Sequence, residues 1–127
     1  YDIIKRLGID SILDRKLSSL STGQRQIANI ARLLCSKHKF FVLDEPTANL
    51  DIKMSFNLCR VLLYLCCKLD KTIIMSCHDI DLCQRFAKWV IVVGNGKISC
   101  AGNWGDISRN KSVGDIFGLN LNQIYGS

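Results

Sequence analysis

Two short apolar runs that stop abruptly at polar residues, with a long amphipathic stretch between them, constrain this chain most. Phe40 to Leu43 is four consecutive strand formers ending at Asp44 and Glu45. Thr72 to Ser76 is a second such run, ending just ahead of His78. Between them, near Ile52 to Leu69, the residues Met54, Leu58, Val61, Leu62, Leu65 and Leu69 are spaced to fall inward on one helix. Continuous apolar runs of this kind are the pattern of strands buried on both faces of a parallel sheet. Strands alternating with helices then predict a layered α/β fold.

The flanking sequence fits the same plan. Apolar residues at 1, 3, 4 and 7 predict a helix over Tyr1 to Leu7, with Gly8 placed to stop it. Ile27, Ile30, Ala31 and Leu34 recur on one face of a helix spanning about Gln24 to Ser36. A short helix is expected over Ile80 to Lys88, with Leu82 and Phe86 inward, then a strand from Trp89 to Val93. Gly94-Asn95-Gly96 is a hairpin signal that returns the chain into Lys97 to Ala101. Beyond Gly102, short helical pieces and turns are expected.

Bulk composition narrows the class. With 127 residues and a single proline, the chain suits one packed globular unit. Its longest near-continuous apolar stretch, Val61 to Cys67, falls well below the about 20 residues that a membrane helix needs. Seven cysteines, an odd number with no C-x-x-C pair, read as reduced apolar fillers rather than metal ligands or disulfides. The net charge of +6 is spread over scattered lysines and arginines, so it gives no nucleic-acid footprint. Tyr1 stands where a start methionine is expected, so the chain reads as beginning at a cut.

Three groups of residues carry chemistry. Asp44 and Glu45 sit at the C-terminal end of a buried strand, the edge where open α/β sheets bind ligands. By themselves they also suit a strand ending in an acidic turn, with Pro46 as breaker. Ser21, Thr22 and Gly23 precede a helix, whose free N–H groups and dipole favour an anion. Ser21 or Thr22 would equally serve as a plain helix N-cap, and so would Asp51. His78 follows the second strand and precedes Asp79.

Taken in order, five segments resemble an ABC nucleotide-binding domain over roughly residues 1 to 101. They are Leu20-Ser-Thr-Gly-Gln24, Phe40-Phe-Val-Leu-Asp-Glu-Pro46, Ala48-Asn-Leu-Asp51, Ser76-Cys-His78 and the strand pair turning at Asn95-Gly96. They are similar to the signature loop, Walker B strand, D-loop, switch histidine and closing hairpin of that family. The resemblance implies the C-terminal part of a P-loop NTPase-like layered fold, with part of the helical signature subdomain. On this plan residues 1–36 end the helical subdomain, 37–101 carry Walker B through the hairpin, and 102–127 form a tail. The segment Asp10 to Gln24 and the tail pattern Asp106 to Leu119 look similar to ATPase subunits of iron-chelate and cobalamin importers.

Roles follow from the resemblance residue by residue. Asp44 would hold Mg²⁺ through water, Glu45 would be general base, and His78 would contact the γ-phosphate of ATP. Ser21, Thr22, Gly23 and Gln24 would face ATP bound by an opposing subunit, with Asp51 crossing the same interface. Thr22 stands where the family pattern has its first glycine, which would crowd a phosphate. Implied partners are a second nucleotide-binding domain in a head-to-tail dimer and a transmembrane permease, at the cytoplasmic face of the membrane, with no nucleic acid. The alternatives are a non-transport ABC ATPase of DNA repair or translation, or a module that only donates its signature loop. No G-x-x-x-x-G-K-[ST] loop occurs. That loop, the glutamine loop and the adenine-stacking aromatic are expected before Tyr1, and the chain alone is expected not to hydrolyse ATP.

Overall fold

The computed structural model describes residues 2 to 118. They divide into two compact units, one running to Asp79 and the other starting at Ile80. No helix among the described residues is long and apolar enough to cross a membrane.

The first unit carries α1 (Asp2–Leu7), α2 (Thr22–Leu34), β1 (Phe40–Leu43), α3 (Ile52–Lys68) and β2 (Thr72–Met75). Gly8 ends α1 with a φ of 71°, its N–H bonding back to Ile4, as its position suggested. The left-handed backbone there costs glycine no Cβ clash. Strands β1 and β2 pair in parallel, register Phe41 to Ile73 and Leu43 to Met75, joined through α3. Leu58, Val61, Leu62 and Leu65 of α3 meet Ile27, Ile30 and Leu34 of α2 and Phe41 and Leu43 of β1 in one core, which also takes in Leu7. Leu7, Ile27, Leu58 and Leu65 are fully buried. Each such side chain contributes about 1.5–3 kcal/mol relative to exposure.

Two packing expectations need correction. Strand β1 is not buried on both faces: Phe41 and Leu43 are inside, whereas Phe40 is 56% and Val42 67% exposed. Its neighbour β2 repeats the pattern, with Ile74 exposed and Ile73 and Met75 half-buried. Successive side chains of a strand point to opposite faces, and the core formed with α2 and α3 covers only one. Leu69, expected inward, is exposed because it is the residue that terminates α3, beyond the last inward-facing turn.

The second unit holds α4 (Ile80–Phe86), the antiparallel pair β3 (Val90–Gly94) and β4 (Lys97–Gly102), α5 (Trp104–Ile107) and α6 (Lys111–Phe117). Asn95 and Gly96 turn the hairpin with φ of 51° and 72°, the doubly left-handed geometry that a two-residue turn matched to strand twist requires. Val92, Ile107 and Val113 form a small separate core. Trp89, expected in the strand, precedes it and is exposed, and α4 stops at Phe86 rather than Lys88. The short helical pieces expected in the tail are present as α5 and α6, while Leu119 of the tail pattern lies outside the described residues.

Candidate functional site

Parallel pairing places the C-terminal ends of β1 and β2 side by side, and the polar residues that end the two runs meet there. Ser76 continues the ladder by one residue, its N–H donating to the Leu43 carbonyl at 3.0 Å. Its hydroxyl donates to Asp44 Oδ1 at 2.7 Å and accepts from the Glu45 N–H at 2.7 Å. Glu45 then departs from the strand with a φ of 40°. A positive φ is uncommon outside glycine, asparagine and aspartate, and such outliers collect at functional sites. The side chain so directed reaches His78, whose Nε2 lies 2.6 Å from Glu45 Oε1. An ionised carboxylate can only accept, so in that state Nε2 carries the shared proton. Asp44, Glu45 and His78 are all exposed.

The second sub-site is the start of α2. Ser21 is the N-cap: its Oγ accepts from the Gln24 N–H at 3.2 Å, and Gln24 Oε1 accepts from the Ser21 N–H at 3.1 Å. This reciprocal capping box uses two N–H donors internally. The N–H groups of Thr22 and Gly23 remain in the first turn, where no intrahelical acceptor exists. They and the positive helix end are what an anion would meet. Thr22 is exposed.

Gly23 has a packing reason of its own. A Cβ built on it would sit 2.5 Å from the carbonyl oxygen of Asn49, so the helix start and the 45–49 loop touch backbone to backbone. Gln26 fastens the same contact. Its Nε2 donates to the Pro46 carbonyl at 3.0 Å and leans on that of Glu45 at 3.4 Å, while Asn49 Nδ2 reaches its Oε1 at 3.4 Å. Asp51 closes the loop as the N-cap of α3, accepting from the Met54 N–H at 2.7 Å. The structure therefore brings together Asp44, Glu45 and His78, and ties Gly23 to their supporting loop. Asp51 serves as a helix cap.

Two residues here escaped the sequence reading. Ser76 lay inside a quoted motif with no role, and its only signal is a hydroxyl residue closing an apolar strand opposite an acidic one. Gln26 is a polar residue beside buried Ile27, and nothing in a helical pattern separates it from a solvent-facing glutamine.

The donor set fits a hydrated Mg²⁺ and not a caged ion. Among the described residues no group of three or more His, Cys, Asp and Glu could enclose a metal. Mg²⁺ is usually held by one or two carboxylates together with waters and substrate phosphates, and exposed Asp44 supplies one such carboxylate.

The chain belongs to the ABC transporter family, and its fold is that of part of an ABC-type cassette. The family model described as ABC transporter matches residues 1–48. A phosphonates import ATP-binding protein of Synechococcus is 31% identical over 126 residues, covering 99% of this chain and 44% of that protein. The hemin import ATP-binding protein of Rhodopseudomonas palustris is 30% identical over 93% of this chain and 47% of its own length. Among solved structures, an inward-facing metal-chelate type ABC transporter superposes with a TM-score of 0.78 at 25% identity, over 93% of this chain and 47% of that one. A dimeric ATP-binding cassette bound to ADP and Pi gives 0.71 at 26% identity, over 80% and 44%. The chain thus spans less than half the length of these relatives. Its fold is that of the P-loop NTPase cassettes, with a parallel strand pair and a later antiparallel hairpin.

Proposed function

We propose that this chain is part of the ATP-hydrolysing subunit of an ABC importer. The observation that carries the reading is the convergence of Asp44, Glu45 and His78 at the ends of two parallel strands. Relatives named for import of phosphonates and hemin support uptake as the direction, and hemin favours a chelated metal as cargo.

Each residue has a task that its position allows. Asp44, with one oxygen engaged by Ser76, holds a hydrated Mg²⁺, which supplies charge neutralisation at the outer phosphates of ATP. Glu45 accepts the proton of a water placed in line with the terminal phosphate. His78, 2.6 Å from Glu45, stands where it would contact the γ-phosphate. Phosphoryl transfer asks the protein mainly for position and electrostatics, and these residues provide both. The start of α2, with Ser21, Thr22, Gly23 and Gln24, faces the nucleotide of a second cassette. A two-fold pair exchanges this surface in kind. A membrane permease that couples closure to transport completes the assembly at the cytoplasmic face.

The Mg²⁺ requirement of ATP turnover by the native polypeptide containing this chain tests the reading. Asp44→Asn is expected to raise the Mg²⁺ needed for half-maximal turnover by roughly 10- to 100-fold. Turnover indifferent to Mg²⁺, or an unaltered Mg²⁺ dependence in the variant, would count against it.

A further inference from the structure

We infer that Ser76 is a positioning residue for the Asp44–Glu45 pair, setting one carboxylate directly and the other through the backbone. The inference rests on the hydrolase reading for its kinetic consequence only. A hydroxyl can donate and accept at once, and Ser76 Oγ does both, at 2.7 Å to Asp44 Oδ1 and 2.7 Å from the Glu45 N–H. The first bond fixes the rotation of the Asp44 carboxylate. The second holds the amide of a residue whose φ of 40° is a conformation glutamate rarely adopts.

Ser76 can do this because its own place is fixed. Its N–H is bound to the Leu43 carbonyl, one step past the last paired residues, Leu43 and Met75. The oxygen therefore stands opposite the point where β1 ends, between the two residues with separate roles. A different conformation at Glu45 would swing its carboxylate off His78, 2.6 Å away. Glu45 has further backbone support, from Ala48 N–H and Gln26 on its carbonyl, so the loop does not depend on Ser76 to fold. What the hydroxyl adds is aim.

The test compares Ser76→Ala and Ser76→Thr in the native polypeptide containing this chain. Threonine keeps the hydroxyl, and exposed Ser76 leaves room for the added methyl. Two quantities are measured: hydrogen exchange at the Glu45 amide, and kcat and KM for MgATP. With alanine, Glu45 amide exchange should quicken by about tenfold, the scale of one lost hydrogen bond. Alanine should also lower kcat by about tenfold with KM little changed, and threonine should restore both. An alanine variant with unaltered Glu45 exchange overturns the inference, as does one with faster exchange but full kcat. Absence of turnover in the unaltered protein would refute the hydrolase reading, while Glu45 exchange would still decide for or against the role of Ser76.

Discussion

Gly23 and Asn49 are in backbone contact: a methyl on the glycine would lie 2.5 Å from the asparagine carbonyl oxygen. That approach, together with Gln26, joins the start of α2 to the loop leading away from the acidic pair. A Gly23→Ala change must push one backbone away from the other, since no flexible side chain stands there to yield. Overpacking of this sort costs about 1–3 kcal/mol. Urea unfolding should show a lower midpoint for the alanine protein, and an unmoved midpoint would mean that the contact is looser than described. Thr22→Gly, at an exposed position one residue earlier, is the companion change. If Thr22 crowds a phosphate, this change should raise ATP turnover, and equal turnover would dispose of the crowding.

Gln26 should matter more than its surface-like sequence position suggests. Replacing it by alanine removes the donor to the Pro46 carbonyl and the partner of Asn49. A loss of about 1 kcal/mol in stability is expected, together with faster amide exchange confined to residues 45–49. Unchanged exchange in that loop would show that the glutamine only decorates it.

Asp51 separates two roles cleanly. As the N-cap of α3 it accepts the Met54 N–H, and Asp51→Ala should cost about 0.5–2 kcal/mol. Asparagine caps as well as aspartate does, so Asp51→Asn should unfold like the original. If the asparagine protein is stable yet turns over ATP at a reduced rate, the carboxylate has a task beyond capping, as the family resemblance implies.

Cys59 is the thiol least able to react. It is buried, and desolvation, with lesser contributions from Cys77 and Asp79, pushes its pKa up to about 11. An unfolded cysteine ionises near about 8.5, so folding favours the neutral thiol. This contribution to stability is fully present below the unfolded value and is lost as pH rises through about 11. At pH 8, a thiol reagent followed by peptide mapping should label exposed Cys35 and Cys67 first and Cys59 last. Early labelling at Cys59 would contradict its burial.

The fold was largely legible because its signals are local and repeated. Buried α3 positions follow from the spacing of Leu58, Val61, Leu62 and Leu65, and the hairpin from Asn95-Gly96. The one-sided burial of β1 was not legible, since an apolar run reads the same whether one face is covered or two. Asp44, Glu45 and His78 stood out because each is an ionisable residue lying just past a strand, within a segment that resembles a family motif. Ser76 and Gln26 did not, because their importance comes from partners 32 and 20 residues away, set by the strand register and by helix packing. Periodicity carries no information about such pairings.

The most direct test of the central claim is single-turnover release of phosphate from ATP by the native polypeptide containing this chain, with Glu45 intact and with Glu45→Gln. Glutamine preserves shape and can still meet His78, but cannot take a proton from water. A fall of about 10²- to 10⁴-fold in the rate, with nucleotide binding retained, is the expected result. Equal rates in the two proteins would contradict the assignment of Glu45 as the base and, with it, the chemistry proposed for the ends of β1 and β2.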